Sequence, residues 1–439
     1  MKKFKVYFIA VLIGFSGILS AQDNATAINI STDFLRLLYL EQYDEAVKRF
    51  DSVMAEQFPA KKLKDVMVQL HASVGDIDTV GESYIGKSTK GIIEVITPLF
   101  YKSIALDAKV YVKDSMITGF FMSRHVPTEY FIPEYADTSK FREIDLVVGE
   151  NSELELKAKL TLPIGGGNFP CVVLVHGSGP NDMDETVGPN KPFKDIAYGL
   201  ASRGIAVLRY DKRTKAHPSK WNDSLTLYDE TVEDAVKAFE LARDYPGIDK
   251  NRVVVLGHSL GAIAIPIIAS ETDAAGYIMA AGSPRKLYDL VYDQYHYLVL
   301  TDGSISKEEQ ELLDKYDQKL LNLKKVLQGE KIENDEGLPL NLSTEYWKYL
   351  NNYNTLEEAK KIKEPLLIIH NERDYQVTMK DYEIWKENIS GDNITIRLLP
   401  ELNHIFIEGE GKSSPQEYQS RGSVDEKVVF LIENWVKAL

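Results

Sequence analysis

The sequence predicts a doubly wound α/β domain, a mostly parallel sheet of about eight strands with helices on both faces, preceded by a small N-terminal α+β domain. Three observations predict it. From residue 141 onward, short apolar runs alternate with helical stretches. Several of these runs are continuously apolar, as strands buried on both faces must be. Finally, Gly257-His258-Ser259-Leu260-Gly261 stands between the apolar run at 253–256 and a second apolar stretch of helical character at 262–269.

The elements follow in chain order. Lys2, Lys3 and Lys5 precede an uncharged apolar run at residues 6–19, and Ser20-Ala21-Gln22 offers a small residue for cleavage after Ala21. This is the layout of a secretory signal peptide over residues 1–21, so the mature chain is expected to be secreted across the inner membrane, to the periplasm or beyond. The run is shorter than the ~20 residues of a spanning helix, so no stable membrane anchor is expected after its removal. The one cysteine, Cys171, lies far from the cleavage site. That excludes a lipid anchor there, an internal disulfide and a zinc site built from two or four cysteines.

The net charge is -15, and loss of the three leader lysines makes the mature chain more acidic still. Phosphates would be repelled, so no nucleic-acid partner is expected.

Residues 28–124 read as the small α+β domain of unassigned function. Helical stretches are expected around Phe34 to Leu40, at 43–54 and at 60–74. Strands are expected at 81–87, 92–101, 104–112 and 116–121. No convergent set of reactive side chains stands out there, and His71 is a lone histidine. Residues 125–140, with Pro127 and Pro133, read as a linker. The α/β domain then spans 141–439. Its strands are expected at 144–148, 154–162, 171–175, 205–210, 252–256, 277–280, 366–369 and 394–398, with helices between them such as 194–203 and 230–243. One connection is far longer than the rest. Residues 284–362 form an insertion, strongly helical over 306–327, placed over the carboxyl edge of the sheet where it can act as a lid.

The five residues around Ser259 carry the chemistry. A serine on a sharp strand-to-helix turn projects its hydroxyl above the sheet edge, and glycines two residues away on either side remove the side chains that would collide in the turn. The helix that begins there points its N-terminus at the reacting oxygen, where negative charge develops. The glycine-rich stretch at 176–179 is not a phosphate loop, because no Lys-Ser/Thr pair follows it.

With this motif, and with His176-Gly177-Ser178-Gly179-Pro180-Asn181-Asp182 and Leu208-Arg209-Tyr210-Asp211-Lys212-Arg213, residues 140–439 resemble the α/β-hydrolase superfamily. Asp184-Glu185-Thr186 and Pro192-Phe193 between these stretches make the chain similar to bacterial carboxylesterases, members of which often carry a small N-terminal domain. The resemblance implies a serine esterase acting on a small-molecule carboxylic ester, with no cofactor and no metal.

Ser259 needs a base. Of eight histidines, His404 follows the last expected strand and can swing over the sheet edge; the family's histidine sits there too. His176 is expected to order its loop. The acid should follow the strand at 366–369, where Asp374 with Val377 fits the family's Gly-x-x-Asp-x-x-Val, with Asn371 in place of the glycine. Asn tolerates positive φ, so the turn can survive. Glu372 is the rival acid. The chain order Ser259, Asp374, His404 is that of the family. An oxyanion hole is expected from the backbone N–H of Leu260 and, from the loop that resembles the family's, that of Ser178, with Gly179 next to it. The run 209–213 either contacts substrate or forms an ion-paired loop supporting the site. Amide or peptide hydrolysis by the same machinery is the alternative activity, and a non-catalytic binding protein the alternative outside enzymes.

Overall fold

The computed structural model describes residues 21–439, apart from residue 90 and segments 102–103, 126–129, 221–223, 301–304 and 333–336. The signal-peptide expectation therefore falls, but for Ala21, outside the described residues. The chain divides into two units between Pro127 and Thr128.

In the N-terminal unit, helices Ala21–Tyr39, Tyr43–Val47, Ser52–Gln57 and Ala60–Val74 precede strands β1 (Ile77–Val80), β2 (Tyr84–Thr89), β3 (Ile92–Tyr101), β4 (Ala105–Lys113) and β5 (Met116–Arg124). The sheet is antiparallel, with both β1 and β2 paired to β3, then β4 and β5. Phe34, Leu37, Leu63, Val95, Val110 and Ile117 form its core. Two local expectations change. The helix expected at 43–54 is two helices. Phe50 turns inward to bridge Ile117, and Asp51 then caps a new helix by accepting from the Met54 N–H at 2.7 Å. β1 escapes sequence reading because three of its four residues are exposed. His71 is solvent-facing and pairs with Asp76.

The second unit holds the eight expected strands: β6 (Phe141–Val148), β7 (Leu156–Pro163), β8 (Phe169–Val175), β9 (Ala206–Tyr210), β10 (Ile248–His258), β11 (Gly276–Ala280), β12 (Leu366–Asn371) and β13 (Ile394–Leu399). Their order across the sheet is β13-β12-β11-β10-β8-β9-β7-β6. Only β7 runs against the rest of the sheet, pairing antiparallel with both β6 and β9. Side chains alternate across a strand. Accordingly Val173, Val175, Val253 and Val255 join the core on one face, and Val172, Leu174, Val254 and Leu256 the core on the other. Both faces are covered, which is why these strands read as unbroken apolar runs.

Residues 130–140 do not form a linker. The Tyr130 hydroxyl donates to Asp195 (2.9 Å) and that of Tyr135 to the Val424 carbonyl (2.8 Å), so two aromatic rings anchor this stretch to the second unit. The long insertion leaves after β11 and returns at β12. It is built of helices Leu287–Leu300, Lys307–Leu327, Thr344–Asn352 and Thr355–Ala359. A capping box at Ser306 and Glu309 starts the second of these.

Candidate active site

The register of the sheet places the centre of the site. Gly257 at the end of β10 lies level with Val175 of β8 and Met279 of β11. Ser259 therefore emerges where the carboxyl ends of three central strands meet. Its backbone is bent to φ 54°, ψ -114°, a region that costs a non-glycine residue of order 1–3 kcal/mol. The Ser259 N–H donates to the Ala280 carbonyl at 2.9 Å, which ties the bend to β11. The flanking glycines are required by contact. A Cβ on Gly257 would lie 2.3 Å from the Gly261 carbonyl oxygen, and one on Gly261 would lie 2.3 Å from that of Val175. The helix Leu260–Glu271 then begins at once, so the Leu260 N–H is one of its first-turn donors without an intrahelical partner.

Ser259 opens on a cavity of about 400 Å³, shared with Gly177, Ser178, Leu260, His258 and His404. Helix Leu287–Leu300 of the insertion covers it with Leu287, Leu290 and Val291. His404 lies on the loop after β13. Its Nδ1 is 2.6 Å from Asp374 Oδ2, and both side chains are buried. The other Asp374 oxygen accepts the N–H groups of Gln376 (2.7 Å) and Val377 (3.0 Å). The carboxylate is thus fixed at both oxygens, and the imidazole can turn only its Nε2 edge elsewhere. Glu372 is exposed and has no place beside His404.

The structure brings Ser259, His404, Leu260 and Ser178 to one cavity, with Asp374 behind His404. Gly179 lies instead on a neighbouring cavity with Pro180 and Leu342, at φ +92°. Asn371 does not adopt positive φ. It closes β12 in extended backbone, and its amide donates to the Asn403 carbonyl at 2.9 Å, linking the Asp374 and His404 loops. This position needs a reach between loops, not a flexible turn. Of the remaining histidines, His176 is buried and its Nε2 donates to the Asp182 carbonyl at 3.1 Å. Burial pushes its imidazole down to about 4.

The run 209–213 supports the site and does not line it. Arg209 is fully buried between Asp184 and Glu143, and Arg213 forks onto Asp234. Asp211 accepts the Met183 N–H at 2.9 Å. This basic run and the acidic run 182–185 leave the ends of neighbouring strands, and their opposite charges were the signal for the pairing.

One contributor was not singled out from sequence. Glu185 is buried, accepts the Gly177 N–H at 2.7 Å, and sets its other oxygen 2.9 Å from His258 Nδ1. His258 Nε2 in turn donates to the His404 carbonyl at 3.0 Å. Glu185 thereby joins the glycine loop, the serine turn and the histidine loop.

Chemically, the cavity offers a hydroxyl on a strained turn, an imidazole oriented by a carboxylate, and backbone N–H groups beside them. Among the described residues no cluster of three or more metal-ligating side chains occurs, and no helix is long and apolar enough to cross a membrane.

Residues 172–417 match the sequence model of the alpha/beta hydrolase family. The chain is 37% identical over 413 residues to Esterase EstD of Thermotoga maritima, a match covering 92% of this chain and 93% of that one. Among solved structures it is similar to Est1E from Butyrivibrio proteoclasticus, at 14% identity over 67% of this chain and 99% of that chain, with a TM-score of 0.43. It is also similar to an esterase of Pyrobaculum calidifontis, at 16% identity over 68% and 85% of the two chains, with a TM-score of 0.40.

Proposed function

From its membership of the alpha/beta hydrolase family, we propose that this chain hydrolyses carboxylic esters of small molecules by acyl transfer through Ser259, His404 and Asp374. The observation that carries the reading is the His404 Nδ1–Asp374 contact of 2.6 Å behind a ring that shares a cavity with Ser259. Asp374 holds His404 in the tautomer that leaves Nε2 free to accept a proton. Ser259 Oγ attacks the ester carbonyl as its proton passes to His404. The tetrahedral oxyanion is met by the N–H groups of Leu260 and Ser178, each such donor being worth about 2.7–4 kcal/mol. His404 then protonates the leaving alcohol, and water releases the acyl group by the same route. That the Thermotoga maritima relative is named an esterase supports esters, and not amides, as the substrates of this chain.

Ser259→Ala should abolish hydrolysis of a nitrophenyl ester while the protein stays folded, and near-normal turnover in that variant would sink the reading. Aryl esters set against aminoacyl arylamides decide the substrate: faster cleavage of the amides would replace the esterase by an amidase.

The reading includes export. The basic residues and apolar run ahead of Ala21 support it. Protein produced with its leader in a bacterial host should be recovered from the periplasm or medium with Gln22 as its first residue, and an intact Met1 on cytoplasmic protein would count against export.

A further inference from the structure

Gly177 is held at both of its polar backbone atoms by buried charges. Its N–H donates to Glu185, and its carbonyl accepts from Lys212 Nζ at 2.8 Å and from the Asn181 amide at 3.2 Å. Lys212 is itself buried, 3% exposed, and its ammonium lies 2.5 Å from Glu230. Glu230 sits on a π-helical turn, Tyr228–Val232, and accepts at its other oxygen from the Tyr346 hydroxyl at 2.5 Å. Tyr346 belongs to helix Thr344–Asn352 of the long insertion. A continuous polar chain therefore runs from the insertion to one carbonyl in the glycine loop.

A trans peptide is planar, with its carbonyl and its N–H pointing in opposite directions. The group that holds the Gly177 oxygen therefore sets the direction of the Ser178 N–H, which belongs to the same peptide. An ammonium on that oxygen also polarises the peptide and strengthens its N–H as a donor. As a device for stability this arrangement is poor, because a buried ion pair seldom outperforms apolar side chains of the same size.

We propose that Lys212 is a positioning residue of the oxyanion hole: it pins the Gly177–Ser178 peptide so that the Ser178 N–H faces the charge developing above Ser259, and Glu230 with Tyr346 couples that peptide to the insertion. The proposal rests on the ester-hydrolase reading. It assigns Lys212 no contact with substrate and no proton transfer.

The test uses the full chain and a nitrophenyl ester, with an aryl trifluoromethyl ketone as the mimic of the tetrahedral adduct. Wild type and Ser259→Ala are compared first. If ester turnover is absent or independent of Ser259, the reading falls and takes the proposal with it. Lys212→Met is then compared with Lys212→Met/Glu230→Gln, in which no carboxylate is left unpaired. In whichever folds with wild-type circular dichroism, kcat should fall by about 100-fold, the scale of losing one oxyanion donor. KM should change by no more than about threefold, and the inhibition constant of the ketone should rise by the factor that kcat/KM falls. Lys212→Arg should recover part of the loss. Tyr346→Phe removes a single hydroxyl and decides the matter should both lysine variants misfold; it should lower kcat about 3- to 10-fold with the same signature. Unchanged kcat in a folded variant, or a kcat loss without weaker ketone binding, overturns the proposal.

Discussion

His258 Nδ1 and Glu185 Oε2 lie 2.9 Å apart, in a pocket that exposes 5% of one side chain and 4% of the other. Burial alone would push the imidazole down and the carboxyl up. Each charge reverses the effect on its partner, so His258 is held above its ordinary value of 6.5 and Glu185 below its ordinary 4.5.

The linkage has a definite sign on each side. A raised histidine contributes stability that is complete below its unfolded value and lost as pH rises through the folded one. A depressed carboxyl contributes stability that is complete above its unfolded value and lost as pH falls through the folded one. The pair is therefore at full strength between pH 4.5 and 6.5. In that window Glu185→Gln should cost about 3–5 kcal/mol, because it leaves the imidazolium buried and unpaired. Urea midpoints of wild type and variant across the pH range would show it: the gap should be widest there and narrow on the alkaline side as His258 deprotonates. Equal midpoints throughout would count against the pairing.

Asp374→Asn keeps the shape of the carboxylate but reverses the hydrogen-bonding demand on His404 Nδ1. Ester turnover should fall by about 10⁴, with melting little altered. Glu372→Gln, at an exposed position on the same loop, should leave turnover within about twofold. The pair of variants separates the two candidate acids, and a large loss in the second would exchange their roles.

Two glycine substitutions should differ sharply. Gly261→Ala places a Cβ 2.3 Å from the Val175 carbonyl oxygen, so β8 and the helix Leu260–Glu271 would have to separate in the centre of the fold. A loss above about 4 kcal/mol, or no soluble protein, is expected. Gly179→Ala meets nothing within 4 Å and suffers only from its φ of +92°. There the cost should be about 1–2 kcal/mol. Thermal melts of both distinguish steric conflict from backbone strain.

His176 gives an acid limit. Its imidazole stays neutral in the fold down to about pH 4, whereas the unfolded chain protonates near 6.5. Unfolding therefore takes up a proton, and stability falls as pH drops from 6.5 towards 4, by about 3 kcal/mol at most. His176→Gln keeps a polar side chain near the Asp182 carbonyl and removes the titration. Its urea midpoint should decline less steeply than that of wild type over this range.

What could be read from the sequence was local or ordered along the chain. The central strands of the second unit carry runs such as Val172 to Val175 and Val253 to Leu256, buried on both faces and therefore apolar throughout. Ser259 carries its own strand, turn and helix as a signature, and Asp374 and His404 are marked by the strands they follow. What escaped depends on partners far away in sequence. Phe50 interrupts a helical pattern because Ile117 waits for it. Tyr130 and Tyr135 turn an apparent linker into packed structure. Asn371 suggests a permissive turn until its reach to Asn403 is seen. Glu185 and Lys212 look like ordinary surface charges, and only the folding of neighbouring strand ends onto the glycine loop buries them on either side of Gly177.

The long insertion departs from Ala280 and returns at Leu366, on strands β11 and β12 that are themselves paired, with Ala280 level with Ile369. The two strands are parallel, so its ends stand at opposite edges of the sheet, Ala280 at the carboxyl edge and Leu366 at the amino edge. Because pairing of the two strands fixes both points, the entropy of closing so large an excursion is already offset. The segment thus has the properties of a cassette. A different insertion grafted between the same two strands would meet the same anchor points and the same serine turn, and the chemistry could be kept while the range of accepted esters is rewritten.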